Sequence, residues 1–332
     1  MYLPAFALMH RQHGLVSHRQ LAILGLVRSD IERLVRSGRL VRVRRGVYAD
    51  GEAWAAAEPY RARPLLRVRA AAISLQAPAY AFSHDSSSIA LEMGAPSPTT
   101  ALVHVTRRKV HGDAERAGVK HHRAPFQDQD TLDVEGLRIL GPARTALDMA
   151  REHGRAAGLA ACDAALRRGV TRQQLRNVLE EMSCWPGSTV MRWCTEHADP
   201  GAESYLESQG RELVLELGIG RPRTQLGLGD GRREVWVDFH VGRQMFEVDG
   251  LGKYPDDPAK ARAALRKEKD RQDFISGFKL GVARITAYDC GPGRAAALAR
   301  LRREHAETCR LFGTAIDDLA PYILAPERRR SA

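Results

Sequence analysis

Three carboxylates in one short stretch, Asp238, Glu247 and Asp249, have the clearest capacity for chemistry in this 332-residue chain. They lie in two extended segments, Val235 to His240 and Gln244 to Asp249, joined by Val241, Gly242 and Arg243. So short a connection predicts a hairpin with its turn on Gly242-Arg243. Antiparallel pairing about that turn sets Asp238 opposite Glu247, and the two-residue period of a strand puts Asp249 on the Glu247 face. Like charges opposed across a ladder destabilise it unless a cation lies between them. Two neutralisers are open. One is a divalent metal, a hard ion that takes oxygen ligands. The other is a ring of basic side chains drawn from Lys253, Lys267, Lys269 and Arg271, all nearby in sequence.

The elements that would position these acids can be read on either side. Glu203 precedes an amphipathic helix, Ser204 to Leu217, with Leu206, Leu213, Val214 and Leu217 as its apolar stripe. A strand from Pro222 to Leu228 comes before the hairpin. After it come a charged helix, Ala259 to Phe274, a strand, Val282 to Thr286, and a last helix, Arg294 to Glu304. The order is αβββαβ, with the acids at the centre of the sheet.

The N-terminus follows another plan. Phe6 to His13 reads as a helix stopped by Gly14, and Ser17 caps a second helix carrying Leu21 and Leu24. Ser29 is expected to cap a third, Asp30 to Ser37, with Ile31, Leu34 and Val35 buried and Gly38 as its stop. Leu40 to Tyr48 then alternates apolar and basic residues around Gly46, as a small β-ribbon would. Three helices and a ribbon make a winged helix-turn-helix, whose last helix enters the DNA major groove. Residues 1–50 hold nine arginines and three acids, and seven of those arginines lie between Arg28 and Arg45. Arg28, Arg33, Arg36, Arg42, Arg44 and Arg45 are the candidate phosphate contacts. The competing reading is a protein-docking winged helix with solvated arginines, since Asp30 and Glu32 at the helix start would repel DNA.

Composition is consistent with a nucleic-acid partner: the net charge is +11. No apolar run is long enough to span a membrane, and Met1 to Gly14 lacks the charged-then-apolar order of a signal peptide. Five scattered cysteines with no C-x-x-C fit free thiols in a reducing cytoplasm. Cys184, Cys194 and His197 lack a fourth ligand and the usual spacing for zinc. The middle of the chain reads as an α/β connector: helices at 59–77, 83–93, 143–152, 156–167 and from Thr171 to Met182, with strands at 102–106 and 137–140. Ser83-His84-Asp85 reads as a helix cap with a polar first turn, and His121-His122 and Arg107 to Lys109 as strand ends or exposed loops. Arg144 and Asp148, four apart, read as an ion pair on one helix face.

Two resemblances sharpen this picture. Gly14 to Ser17, Ile31 to Leu40 and Arg44 to Tyr48, continued by Ser83-His84, Val103 to Thr106 and Gly141 to Asp148, resemble the AbiEi antitoxins of bacterial toxin–antitoxin and phage-abortive systems. That likeness implies promoter binding, autoregulation and a cognate toxin as partner. Gly201 to Ser204, Gln225, Val237-Asp-Phe239, Phe246 to Gly250, Lys253-Tyr254, Lys267 to Arg271 and Ala283 to Thr286 are similar to PD-(D/E)XK nucleases, in particular the very-short-patch-repair branch. This second likeness implies Asp238 and Glu247 as ligands of Mg²⁺ or Mn²⁺, with Glu203 in support. Asp249 stands where the superfamily has lysine, so Lys267 or Lys269, Arg271 or Lys253 would supply that cation. The alternative is a degenerate nuclease fold whose acids are satisfied by Lys and Arg.

The chain is therefore expected to be an α/β multidomain protein. A winged helix-turn-helix occupies 1–55, an AbiEi-like middle domain 56–198, a restriction-endonuclease-like αβββαβ domain 199–315 and a basic tail 316–332. Its expected function is DNA binding coupled to Mg²⁺-dependent strand cleavage, or non-enzymatic repression as an antitoxin. Double-stranded DNA is the expected partner, a homodimer is open, and no membrane is involved.

Overall fold

In the computed structural model, residues 3–75, 80–108, 112–250, 266 and 269–325 are described. The chain divides into two units, one of residues 1–161 with 170–192 and one of 162–169 with 193–332.

The first unit opens with Leu3–Arg11 (α1), Leu15–Ser17 (β1), His18–Ile23 (α2), Arg28–Arg36 (α3), Leu40–Arg44 (β2) and Val47–Asp50 (β3). The strands form an antiparallel sheet in the order β1-β3-β2. Ser17 caps α2 as expected and Gln20 completes a capping box. Two details differ from the sequence reading. The third helix starts at Arg28 rather than Asp30, because the Asp30 carboxylate reaches back to accept the Val27 N–H at 3.2 Å. Leu24 is 37% exposed, since α2 ends at Ile23, and the turn at Gly25 brings Leu26 into the core instead. There Leu26 packs with Ala5, Met9, Val16, Leu21, Ile31, Leu34 and Leu40.

Gly51–Ala56 (α4) is unexpected, and Ala62–Ser74 (α5), after it, falls within the helix expected at 59–77. Then follow Tyr80–Phe82 (β4), His84–Ala90 (α6), Val103–Arg107 (β5), Ala114–Arg116 (β6), Val119–Arg123 (β7), Thr131–Val134 (β8), Leu137–Leu140 (β9) and Pro142–His153 (α7). The sheet order is β6-β7-β5-β4-β9-β8, with β5–β7 and β4–β9 parallel. Four of these strands were not legible in the sequence, because short polar runs such as Val119-Lys-His-His-Arg123 show no alternation. His121 and His122 accordingly sit inside β7 rather than at its end, and His122 is buried. Lys109 lies outside the described residues. Arg155–Arg167 (α8), Arg172–Glu181 (α9, capped by Thr171) and Ser188–His197 (α10) complete the middle of the chain, the last of them unexpected.

The second unit contains Tyr205–Leu217 (α11), Arg223–Gly229 (β10), Glu234–Val241 (β11), Gln244–Asp249 (β12), helical residues 269–276 (α12), Gly281–Thr286 (β13), Arg294–Phe312 (α13) and Ile323–Leu324 (β14). The expected helix start at Ala259 lies outside the described residues. The sheet runs β13-β12-β11-β10-β14, antiparallel except for the parallel β12–β13 pair. One face packs Phe239, Phe246, Val248 and Ile285 against Leu213 and Val214 of α11 and Leu301 of α13. The other packs Leu226, Leu228, Val237 and Met245 against Ile275 of α12. No helix among the described residues is long and apolar enough to cross a membrane.

Candidate nucleic-acid interface and carboxylate cluster

The buried stripe of α3, Ile31 and Leu34, turns the rest of the helix to solvent. Arg28, Arg33 and Arg36 are exposed on it, and Arg42 and Arg45 are exposed on and beside the β2–β3 ribbon. The acids that would repel DNA are engaged locally: Glu32 accepts from Arg28 at 2.8 Å and Asp30 pairs with Arg33. Such exposed pairs are weak and exchange readily for a phosphate. Arg44 departs from the expected row. It is half-buried, its guanidinium is 3.5 Å from the Ala117 carbonyl, and burial lowers its pKa. Its position suits packing better than phosphate contact.

In the second unit the hairpin turns on Gly242-Arg243 as the spacing predicts, with Val241, His240 and Phe239 paired to Gln244, Met245 and Phe246. The regular ladder stops there. Asp238, next in register and level with Glu247, turns its carboxylate into the ladder and accepts the Val248 N–H at 2.7 Å. The residues flanking it lie on different faces, Val237 with Met245 and Phe239 with Phe246. Gln225, beside Asp238 on β10, has φ 55° and interrupts that ladder too. A ladder-bonded carboxylate at this point avoids the head-on opposition of two acids.

Glu247 is buried; the Arg271 guanidinium donates to its Oε2 at 2.7 Å and lies at ion-pair distance, 2.6 Å, from Oε1. Arg271 also donates to the Trp236 carbonyl at 2.7 Å. Of the cations named from sequence that lie among the described residues, Arg271 is thus the one at Glu247. Lys269 is exposed on the same helical stretch, and Lys267 and Lys253 lie outside the described residues. Asp249 is 3.3 Å from Arg284 of β13. Glu203 is exposed just ahead of α11, and its N–H donates to Glu207 at 2.7 Å.

Two members of this neighbourhood escaped the sequence reading. Glu207 is raised in pKa by burial, and Asp238 and Glu203 add to the shift, while hydrogen bonds from the Glu203 N–H and Ser204 oppose it. Its signal was available: Ser204-x-x-Glu207 has the spacing of a capping box. Arg167, lowered by burial, feels Asp163, Glu207 and Glu203, and it donates to the Ala202 carbonyl. Its side chain is brought there by the end of α8, 36 residues ahead of Glu203 in sequence, so no spacing announces it.

A second cluster, in the first unit, was also missed. His84, His104 and His122 are buried together, and one ring nitrogen of each lies within 4.8 Å of the others. Burial pushes all three imidazoles below their ordinary pKa, His104 to about 4. Among the described residues this is the group of three potential ligands that converges; the carboxylates of the second unit do not.

Comparison with known proteins places residues 5–49 in a family model described as a transcriptional regulator, AbiEi antitoxin. The chain is also similar to two proteins of Mycobacterium tuberculosis strains, uncharacterized protein MT2308 and uncharacterized protein Rv2248. Each is 30% identical over 216 residues, which is 64% of this chain and 74% of the relative.

Proposed function

We propose, since the chain belongs to the family of these mycobacterial proteins and its residues 5–49 are an AbiEi antitoxin transcriptional-regulator domain, that it is a DNA-binding regulator whose head is a winged helix acting at a promoter. The observation that carries this reading is the row of exposed arginines, Arg28, Arg33, Arg36, Arg42 and Arg45, along α3 and the ribbon. Arg42 and Arg45 make no ion pair among the described residues, so they are available to phosphate. In this reading α3 lies in the major groove and the ribbon arginines follow the backbone beside it. A cognate toxin is the protein partner that antitoxin membership implies.

The test is binding to the DNA upstream of the protein's own gene, followed by fluorescence anisotropy across a salt series. Arg36→Glu, Arg42→Glu and Arg45→Glu combined are expected to weaken binding by at least tenfold. Each lost phosphate contact should also flatten the dependence of log K on log salt by about 0.9. Wild-type affinity and slope in the triple variant would refute the interface. Arg44→Ala is expected to act on thermal stability more than on the salt slope.

A second reading, strand cleavage with Mg²⁺ or Mn²⁺ at Asp238, Glu247 and Glu203, is favoured by one observation. A guanidinium, Arg271, lies against Glu247, where the nuclease pattern calls for a cation. Oxygen donors suit a hard ion, but the arrangement does not fit one as it stands. Arg271 donates to Glu247 Oε2 and forms an ion pair at Oε1, and Asp238 is bound to the Val248 N–H. The acids meet the terms of a clamp neutralised by arginine at least as well. Nicking of supercoiled plasmid with Mn²⁺, present in wild type and abolished in both Asp238→Ala and Glu247→Ala, is the expected result under this reading. Absence of nicking in wild type, or its survival in those variants, would remove it and leave the regulator.

A further inference from the structure

Three histidines far apart in sequence meet in the first unit. His84 opens α6, His104 is the second residue of β5, and His122 the fourth residue of β7. β5 and β7 are parallel neighbours with Thr106 level with His122, so His104 and His122 stand on one sheet face, diagonal to each other. His84 reaches them from a left-handed backbone, φ 48°. That conformation is uncommon outside glycine, and histidine is among the residues that adopt it more readily. The His84 ring stacks on His122, with centroids 3.7 Å apart and planes inclined by 16°.

Carboxylates stand behind two of the rings. His104 Nε2 faces Asp85 Oδ2 at 3.5 Å, and His122 Nδ1 faces Asp113 Oδ2 at 3.4 Å. Asp85 Oδ2 also pairs with His153 Nε2 at 2.7 Å, and the exposed Asp113 accepts the Arg123 N–H through Oδ1 at 2.8 Å. The inner nitrogens, His104 Nδ1 and His122 Nε2, lie 2.9 Å apart. With one ring proton turned inward they share a hydrogen bond. With both ring protons turned outward to the carboxylates, the two inner nitrogens present lone pairs to one point, where a Lewis acid can be held. Metal-binding histidines have this pattern, with the outer N–H on a carboxylate that orients the ring. Around His84, Ser83 Oγ lies 2.9 Å from Nδ1 and Asp148 Oδ1 lies 3.9 Å from Nε2. Burial also favours the neutral ring, the form that ligates.

We propose that His84, His104 and His122 bind a first-row transition ion, Zn²⁺ foremost, which ties α6 to the β5–β7 pair. Imidazole suits Zn²⁺, Cu²⁺ and Ni²⁺ and not the oxygen-seeking Mg²⁺ or Ca²⁺, so this site is separate in chemistry from the carboxylates of the second unit. Three protein ligands leave the fourth tetrahedral position to water.

The test uses the full chain, stripped with chelator and titrated with Zn²⁺ by calorimetry. Wild type is expected to bind one ion and to melt at higher temperature when loaded. His122→Gln should lose both effects. Asp113→Asn, at a largely exposed position, should weaken binding about 10–100-fold. His10→Gln, at an exposed position of α1, should bind as wild type does. No zinc binding in wild type overturns the site, as does wild-type affinity in a folded His122→Gln chain or loss of zinc in His10→Gln. Should His122→Gln fail to fold, X-ray absorption of the zinc-loaded wild type decides. Three imidazole nitrogens at about 2.0–2.1 Å support the site, and a shell of oxygen or sulfur overturns it.

Discussion

Replacing Arg211 by alanine is expected to destabilise the second unit by about 3–5 kcal/mol, because it leaves a buried carboxylate without its partner. Arg211 is 1% exposed on α11 and Asp163 is fully buried at the end of α8. The guanidinium pairs with Asp163 Oδ2 and donates to the His197 carbonyl at 2.8 Å. The other Asp163 oxygen accepts the Asp199 N–H at 2.7 Å. These contacts fasten α11, whose first turn carries Glu207, to α8, which carries Arg167. Denaturant unfolding of wild type, Arg211→Ala and the double variant Arg211→Met with Asp163→Leu separates the two terms involved. The single variant should fall by the amount above, while the double variant should recover most of it, since apolar groups of similar volume often replace a buried pair at little cost. A single variant within about 1 kcal/mol of wild type would show that water reaches Asp163 and that the pair is not a buried one.

Acid should unfold the first unit from its histidine cluster. His104 is lowered from 6.5 to about 4, mainly by burial, and His84 and His122 move the same way. A group whose folded pKa is depressed gives stability that is complete above its unfolded value and lost as pH falls through the folded one. For His104 alone the loss between pH 6.5 and 4 is about 3 kcal/mol, from 1.36 kcal/mol per pKa unit. Asp85 is held low, against burial, by His153 and His104, so its contribution disappears only below this window. Unfolding free energies of chelator-treated protein measured from pH 7 to 4 should therefore fall with a slope that His104→Asn reduces. A flat profile over that range in wild type would contradict the burial of these rings.

The sequence by itself determined the local parts of both candidate surfaces. Ser17 and Gln20 fixed the start of α2, the spacing of Ile31 and Leu34 fixed which side of α3 carries arginine, and Gly242-Arg243 fixed the hairpin that brings Asp238 level with Glu247. These are contacts among residues a few positions apart, where period and turn chemistry suffice. Even locally, a carboxylate could outrank the expected cap, as Asp30 does at α3. The spacing also could not show that Asp238 would leave the regular ladder to hold the Val248 N–H.

Only the tertiary structure set Arg271 against Glu247, added Glu207 and Arg167 to the acids, and drew Arg44 into packing. It alone assembled the histidines. Positions 84, 104 and 122 share no period, and a parallel β5–β7 pair with a helix packed on it joins them through contacts that no local pattern encodes. Burial, which sets their protonation, is likewise a property of the packed unit: the same imidazoles on an exposed strand end would titrate near 6.5 and face water rather than one another.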